Sequence, residues 1–153
     1  MLAVFDVDGV VADVRHRLHH LHRHNWPRFF AAADADPLLP EGSRLVADLG
    51  REHEVVWLTG RPEWLRGVTV DWFSRHALPS SELYMRPDGD YRPARLYKLD
   101  VLRRLQSRGV AALVDDDPDV VDTAMRAGFP AVLADWVPRD PDLGAAQERW
   151  GRT

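Results

Sequence analysis

Two aspartates separated by a single residue directly follow the first apolar segment of the chain. Asp6 and Asp8 come after residues 2–5, and Gly9 follows them. Such a pair suits covalent phosphoryl transfer, in which one carboxylate attacks phosphorus and the other works as acid and base. Gly9 permits a tight backbone turn just beyond the pair. A solvated acidic turn is the alternative, and a calcium loop is less favoured because the further oxygen ligands of an EF-hand are missing.

Two further polar features could bind an anion such as a phosphate group. Thr59, Gly60 and Arg61 follow a second apolar segment, and backbone N–H groups at the start of a following helix would favour an anion there. Lys98, the only lysine of the chain, could neutralise a phosphoryl group and the attacking carboxylate from the first turns of a predicted helix. The alternatives are an ordinary strand-to-helix turn and a solvated surface lysine.

A run of acidic residues follows a fourth apolar segment. Asp115 and Asp116 would repel each other after a buried strand unless a cation were present, and their hard oxygen atoms suit Mg²⁺. Asp117 precedes Pro118, and this order predicts a helix N-cap. For Asp115 and Asp116 the alternative is a capping or helix-dipole role.

Short apolar segments alternate with helical patterns along the chain. The segments with the length of strands are residues 2–5, 55–58, 83–85, 111–114 and 131–133. The helical patterns cover about residues 41–49, 62–76, 94–108 and 117–128. This alternation predicts an α/β fold, a Rossmann-like parallel sheet of about five strands with helices on both faces. Because ligands bind at the carboxyl ends of such strands, the polar clusters should converge on one crevice.

The bulk properties describe an ordinary globular domain. A length of 153 residues predicts one domain, 1–153, and 45% hydrophobic with 29% charged residues is a globular balance. No apolar run approaches the roughly 18 residues of a membrane helix, and an acidic residue comes too early for a signal peptide. We therefore expect a cytoplasmic protein. The absence of cysteine excludes thiol catalysis, and the net charge of −4 argues against a protein built mainly to coat nucleic acid.

Only residues 10–40 are available for a cap over the crevice. This length predicts a short flap, with Trp26, Phe29 and Phe30 as its core, and an open site that suits a bulky substrate. Within the flap, the His- and Arg-rich residues 15–28 have three interpretations. They could form a solvated helix face, contact substrate phosphates through Arg17 with Arg15 or Arg28, or hold a transition metal. The tail, residues 135–153, predicts a short helix at about 143–150 without an assigned function.

In combination, the motifs are far more specific than any one of them. The order D-x-D-G, T-G-R, Lys, D-D resembles the phosphatases of the haloacid dehalogenase superfamily over residues 2 to about 133. Within it, the chain is most similar to the phosphatase domain of phage-type polynucleotide kinase-phosphatases. The sequence differs from that family at Ala94, where the family has an acidic residue. The further stretches that carry the similarity are Gly89-Asp90 with Arg92, Val120-Val121 and Arg126-Ala127-Gly128.

The resemblance implies a role for each motif residue. Asp6 would form an aspartyl-phosphate, and Asp8 would protonate the leaving oxygen and then activate water. Thr59 and Lys98 would hold the phosphoryl oxygens. The implied ligands of Mg²⁺ are Asp6, the Asp8 carbonyl, Asp115 and Asp116. The implied substrate contacts are Arg17, Gly60, Arg61 and Arg92.

Three functions remain in competition. The first is a Mg²⁺-dependent phosphohydrolase that removes a terminal 3′-phosphate from a polynucleotide or nucleotide. The second is a small-metabolite or mononucleotide phosphatase, and the third is a non-catalytic binding module of the same fold. The chain has no G-x-x-x-x-G-K-[ST] loop, so a kinase or repair partner would lie on a separate chain.

Overall fold

A five-stranded parallel sheet forms the centre of the molecule, in the strand order β3-β2-β1-β4-β5. The computed structural model describes all residues, Met1–Thr153. The strands are β1 Leu2–Phe5, β2 Glu54–Pro62, β3 Leu83–Arg86, β4 Val110–Asp115 and β5 Ala131–Leu133. The α/β fold class predicted from the sequence is therefore confirmed.

Helices cover both faces of this sheet. They are α1 Trp26–Ala31, α2 Pro40–Leu49, α3 Arg66–Arg75, α4 Ala94–Leu105, α5 Pro118–Arg126 and α6 Pro141–Glu148. Successive side chains of β1 point to opposite faces, so Val4 packs in the core under α4 and α5, and Phe5 packs in the core on the other face. No helix is both long and apolar enough to span a membrane.

The position of β1 in the middle of the sheet sets the geometry of the site. Its last residue, Phe5, pairs with Trp57 of β2 on one side and with Val114 of β4 on the other. The next residue, Asp6, continues this alignment, because its N–H donates to the Val114 carbonyl at 2.9 Å. Asp6 therefore lies at the same sheet edge as Asp115, the last residue of β4.

The second strand is longer than predicted. It runs to Pro62, which pairs with Arg86 of β3, and a 3-10 turn at Glu63–Leu65 precedes α3. The predicted helix start at residue 62 is wrong, because Pro62 is extended, with φ −66 and ψ 150. The φ that the proline ring imposes is compatible both with a strand and with the first turn of a helix. Thr59 consequently lies within a strand rather than at a helix N-terminus. Trp64 of this turn is 58% exposed, whereas Trp72 of α3 is buried.

The segment between β1 and β2 packs against the C-terminal part of the chain. It contains a 3-10 helix at Arg15–Arg23, helix α1 and a second 3-10 turn before α2. Phe29 and Phe30 of α1 are buried together with Leu143 and Ala146 of α6, so the predicted flap core is confirmed for these two phenylalanines.

The predicted N-cap at Asp117 is confirmed as well, since its side chain accepts from the Asp119 N–H at 3.0 Å.

Candidate active site

Three strand ends and one helix deliver the polar motif residues to a single buried cluster. Two aspartates follow β1, a threonine lies near the end of β2, an aspartate ends β4, and a lysine projects from the second turn of α4. None of the five is more than 2% exposed: Asp6, Asp8, Thr59, Lys98 and Asp115. Groups so far from water must compensate one another, and they do so in two separate networks.

The first network is centred on Lys98. Its Nζ lies 2.7 Å from Asp6 Oδ2 and 2.7 Å from Asp115 Oδ2, so a single ammonium group bridges the ends of β1 and β4. The other oxygen of Asp6, Oδ1, accepts the N–H of Val7 at 2.7 Å. These bonds fix the Asp6 carboxylate at the edge of the sheet.

Negative charge is in excess in this first network. Burial raises the pKa of Asp6, although Lys98 opposes the rise. Burial also raises the pKa of Asp115 to about 7, again against the pull of Lys98. The pKa of Asp116 lies well above its usual value, because of burial and of repulsion from Asp6 and Asp115. The three carboxylates therefore disfavour full ionisation in the absence of another cation.

The same three carboxylates fit a divalent cation. Asp6, Asp115 and Asp116 each offer an oxygen, and these oxygens lie within 4.8 Å of one another. Gly9 makes room for the third of them, since a Cβ at this residue would lie 2.3 Å from Asp116 Oδ2. Three carboxylates and one ammonium group leave two formal negative charges, and hard oxygen ligands with this charge match Mg²⁺.

The second network surrounds Asp8. Its Oδ1 accepts from Arg17 Nη2 at 2.9 Å and from Arg61 Nη2 at 2.7 Å, and Thr153 Oγ1 lies 3.3 Å from Oδ2. Burial by itself would raise the pKa of Asp8, but Arg61 and Arg17 outweigh it and lower the pKa to about 2. Its carboxylate is thus engaged by two arginines and one threonine.

Asp36 completes this second network from the far side of both arginines. It accepts from Arg17 Nε at 2.8 Å and from Arg61 Nη2 at 3.0 Å, and His16 Nε2 lies 2.6 Å from its Oδ1. The indole of Trp72 donates to the Asp36 carbonyl at 2.8 Å and so holds the backbone. Sequence reasoning missed Asp36, because it lies in an irregular segment and belongs to no motif.

The C-terminal residues cover part of the cluster, which differs from the open site predicted from the sequence. A Cβ at Gly60 would lie 2.0 Å from the main-chain carbon of Thr153, so only glycine allows this close approach. Arg86 holds the arrangement, because it donates to the carbonyl of Gly60 at 3.2 Å and to the main-chain oxygen of Thr153 at 3.3 Å. No sequence motif pointed to Thr153 or to Arg86.

Comparison with known families agrees with this arrangement. Residues 1–134 match the model of the polynucleotide kinase PNKP phosphatase domain. The chain belongs to this family. No curated protein sequence matches it.

Solved structures with the same fold include other members of the superfamily. Pnkp1 from the Pnkp1/Rnl/Hen1 complex superimposes with a TM-score of 0.72 at 24% identity, over 86% of this chain and 45% of that chain. The present chain thus spans less than half the length of Pnkp1. A haloacid dehalogenase-like hydrolase from Streptococcus pneumoniae gives 0.65 at 13% identity, over 96% and 90% of the two chains. D,D-heptose 1,7-bisphosphate phosphatase from B. bronchiseptica, complexed with magnesium and phosphate, gives 0.52 at 21% identity, over 86% and 79%.

As a member of this family the domain is a phosphoric monoester hydrolase, and its fold is that of the haloacid dehalogenase-like hydrolases. The structure brings most of the expected site residues together, but it leaves Arg92 apart. The Arg92 side chain is half exposed and pairs with Asp90 at 2.9 Å and with Asp100 at 2.7 Å. Thr59 lies in the cluster, where its Oγ1 accepts the N–H of Arg61 at 3.2 Å.

Proposed function

We propose that this phosphatase domain removes a 3′-phosphate from a nucleic-acid end by way of an aspartyl-phosphate on Asp6, with Mg²⁺ as cofactor. The observation that carries the proposal is the contrast between two carboxylates only two residues apart. Lys98 holds Asp6 at the crowded acidic edge, whereas Arg17 and Arg61 hold Asp8. A nucleophile and an acid–base group need such separate environments.

The proposed reaction has two displacements at phosphorus. In the first, an Asp6 oxygen forms a bond to phosphorus while the ester P–O bond breaks, and the leaving oxygen takes a proton from Asp8. In the second, Asp8 removes a proton from water as the water oxygen attacks phosphorus, and the bond to Asp6 breaks. The products are an alcohol and inorganic phosphate, and both aspartates return to their starting states.

The charge state of Asp8 bears on the order of these events. With a pKa of about 2, Asp8 is a carboxylate in the substrate-free protein, which is the form required for the second displacement. A bound phosphate adds negative charge next to Asp8 and competes for Arg17 and Arg61. Both effects raise the pKa of a carboxyl group, so substrate binding itself prepares Asp8 as the acid of the first displacement.

In this proposal the cation is held by Asp6, Asp115, Asp116 and the Asp8 carbonyl. When bound, Mg²⁺ supplies positive charge that offsets the carboxylates and the phosphoryl oxygens. Lys98 and the Thr59 hydroxyl would bind phosphoryl oxygens from the other side of the cluster. The raised pKa of Asp115, about 7 without metal, supports the need for a further cation.

The family supports a polynucleotide as substrate. The matching family model is that of a polynucleotide kinase phosphatase domain, and Pnkp1 is described as part of an RNA repair complex with Rnl and Hen1. By analogy, a repair or kinase partner on a separate chain is part of the proposal. Arg17 and Arg61 lie against Asp8, where they can reach a phosphate bound beside it. The proposal assigns Arg92, which lies apart from the cluster, to contacts with a longer strand.

A mononucleotide phosphatase is the second candidate. The burial of all five motif residues and the closeness of Thr153 to Asp8 favour a small substrate. The test compares kcat/KM for a short 3′-phosphorylated oligonucleotide with kcat/KM for a 3′-mononucleotide. We expect a clear preference for the oligonucleotide. Equal or lower efficiency on the oligonucleotide would contradict the polynucleotide assignment and favour the mononucleotide one.

A further inference from the structure

A groove of about 550 Å³ lies beside the active site, and no catalytic motif accounts for it. Its lining consists of four residues of α1, Pro62, Trp64, residues 86–91 and residues 151–152. It is continuous with the site, because Pro62 directly follows Arg61, and Arg86 of the groove donates to the carbonyl of Gly60. A volume of this size is typical of sites for small organic groups.

Two exposed aromatic side chains dominate the groove. Trp64 is 58% exposed and Tyr91 is 57% exposed, although both belong to a domain with a large buried core. The Trp64 ring packs against the buried Phe30 ring in a T-shaped arrangement, with centroids 5.5 Å apart and an interplanar angle of 85°. The Trp64 ring, supported by Phe30 and exposed elsewhere, can stack with a planar ligand.

Arg152 is the cation that faces the aromatic rings of the groove. The Arg152 guanidinium lies 4.4 Å from the centroid of Tyr91 and 5.4 Å from that of Trp26. The two carboxylates that line the groove have partners. Asp88 accepts the N–H of Trp64 at 3.3 Å, and Asp90 pairs with arginines.

A second concave surface adjoins the N-terminal end of α1. It is lined without any apolar residue, and its lining residues are His19, His20, His22, Arg23, Asn25 and Arg28. Trp26 of the groove follows Asn25 directly, so a strand that leaves the groove would pass this cationic surface. Arginines arranged in this way attract a phosphate backbone without reading its sequence.

The groove is within reach of the proposed reaction centre. Thr153 contacts Asp8, and Gly151, two residues earlier, lines the groove. Two residues of chain span at most about 7 Å. A base and its 3′-phosphate are joined through one sugar, so a nucleotide can bridge a gap of this size.

We propose that this groove binds the base of the nucleotide that carries the phosphate, by stacking on Trp64 and Tyr91 with Arg152 alongside. The inference rests on the proposed function, because it assumes that a phosphate ester binds at Asp6. Stacking on aromatic rings tolerates every base, and an arginine adds a cation–π contribution. The groove would therefore favour a single-stranded end without selecting its sequence.

The experiment compares two 3′-phosphorylated trinucleotides that differ only in the presence of the terminal base. For the wild-type protein we expect kcat/KM to be higher with the base than without it. Trp64→Ala and Tyr91→Ala should each lower this ratio by about 5- to 150-fold, the range for loss of one stacked base. Trp64→Phe should preserve most of the ratio. Met125→Ala removes an equally exposed apolar side chain on α5, outside the groove, and should leave the ratio at its wild-type value.

A binding measurement separates this inference from the proposed reaction. In an Asp6→Asn background, fluorescence anisotropy should show tighter binding of the trinucleotide that has its base, and Trp64→Ala should remove the difference. A protein that binds in this manner but hydrolyses no phosphate ester would contradict the proposed function and leave the groove assignment supported. Equal binding of both trinucleotides would overturn the groove assignment.

Discussion

Asp6 and Asp8 have the same side chain and the same burial, yet their surroundings push their pKa values in opposite directions. Asp6 shares one lysine with Asp115, near a third carboxylate, and its pKa is raised by burial in spite of Lys98. Asp8 shares two arginines with Asp36, and its pKa falls to about 2 despite burial. Partner charges, rather than depth in the protein, decide the direction in which each carboxyl pKa moves.

The two networks also differ in what they lack. Around Asp8, two carboxylates face two guanidinium groups, so the formal charges balance without any further ion. Around Asp6, three carboxylates face one ammonium group, so two negative charges remain. We therefore expect changes on the Asp8 side to act on stability and positioning, and changes on the Asp6 side to act on metal binding and covalent chemistry.

The largest expected effect follows from removal of the nucleophile. Asp6→Asn should lower turnover of a 3′-phosphorylated oligonucleotide by on the order of 10⁴-fold or more, because an amide cannot form the aspartyl-phosphate. The fold should persist, since asparagine has the same shape and removes one charge from an overcrowded cluster. Single-turnover assays and thermal unfolding measure the two properties. Turnover near that of the wild-type protein would contradict the assignment of Asp6.

The excess negative charge around Asp6 predicts a metal effect that depends on pH. Asp115 has a pKa of about 7 in the metal-free fold, above its usual value of 3.8. Between these values the native state binds more protons than the unfolded state, so the free energy of unfolding of the metal-free protein falls as pH rises from about 4 to 7. Mg²⁺ requires the ionised ligands and should therefore raise Tm by several degrees at pH 8 and little at pH 5.

Two variants and one assay sharpen this prediction. Asp116→Asn should raise the Tm of the metal-free protein at pH 8 and reduce its response to Mg²⁺. Asp119→Asn alters the other acidic cluster, formed with Asp117 and Glu148, and should leave the response unchanged. Chelation should abolish activity, and added Mg²⁺ should restore it. A response lost in Asp119→Asn and kept in Asp116→Asn would place the metal elsewhere.

On the Asp8 side, the expected effect is a loss of stability and of positioning. Asp36→Asn removes one carboxylate from two fully buried arginines and leaves uncompensated positive charge, at a cost of about 3–5 kcal/mol in the free energy of unfolding. Asp34→Asn, two residues away, breaks only a surface pair with Arg75 and should cost less than about 1 kcal/mol. Urea denaturation measures both. Equal costs would show that the buried network contributes no more than a surface pair.

The Asp36→Asn substitution also tests whether Asp36 positions Asp8. Without Asp36, the arginines can turn further toward Asp8 and lower its pKa further, which should lower kcat more than it raises KM, because Asp8 is then less often in the protonated form that the first displacement requires. Asp36→Glu restores the charge and should recover part of kcat. A variant that is destabilised but keeps the wild-type kcat at a permissive temperature would limit Asp36 to a structural role.

The sequence was sufficient to predict the sheet and the residues at its carboxyl edge, because both depend on local patterns. Apolar runs of strand length alternate with capped helices, and the motif residues follow those runs directly. The end of β2 could not be predicted in this way. Pro62 suits a helix start or an extended strand, and the ion pairs of Arg61 with Asp8 and Asp36, 53 and 25 residues away, accompany the extended form.

Asp36 and Thr153 show the limit of local patterns more clearly. Asp36 lies in a segment without periodicity, and its role depends on two arginines from distant parts of the chain. Thr153 reaches Asp8 across 145 residues, through a turn at Gly151 with φ of 55°. No spacing rule connects these residues to the site, because tertiary packing alone brings them there.

The smallest expected effect concerns this last contact. Thr153→Val keeps the shape of the side chain and removes the hydroxyl that donates to Asp8 Oδ2 at 3.3 Å. That hydrogen bond helps to lower the pKa of Asp8, so its loss should raise the pKa toward the ordinary value of 3.8. A carboxylate with a lowered pKa in the folded state adds stability that is complete above about pH 4 and is lost as the pH falls toward 2. The midpoint of acid unfolding should therefore rise by a few tenths of a pH unit, the scale of one weak hydrogen bond.

Thr153→Ser retains the hydroxyl and should keep the midpoint of the wild-type protein. A much larger rise in Thr153→Val would mean that Thr153, rather than the two arginines, dominates the surroundings of Asp8, and the contrast between the two aspartates would then need another physical cause.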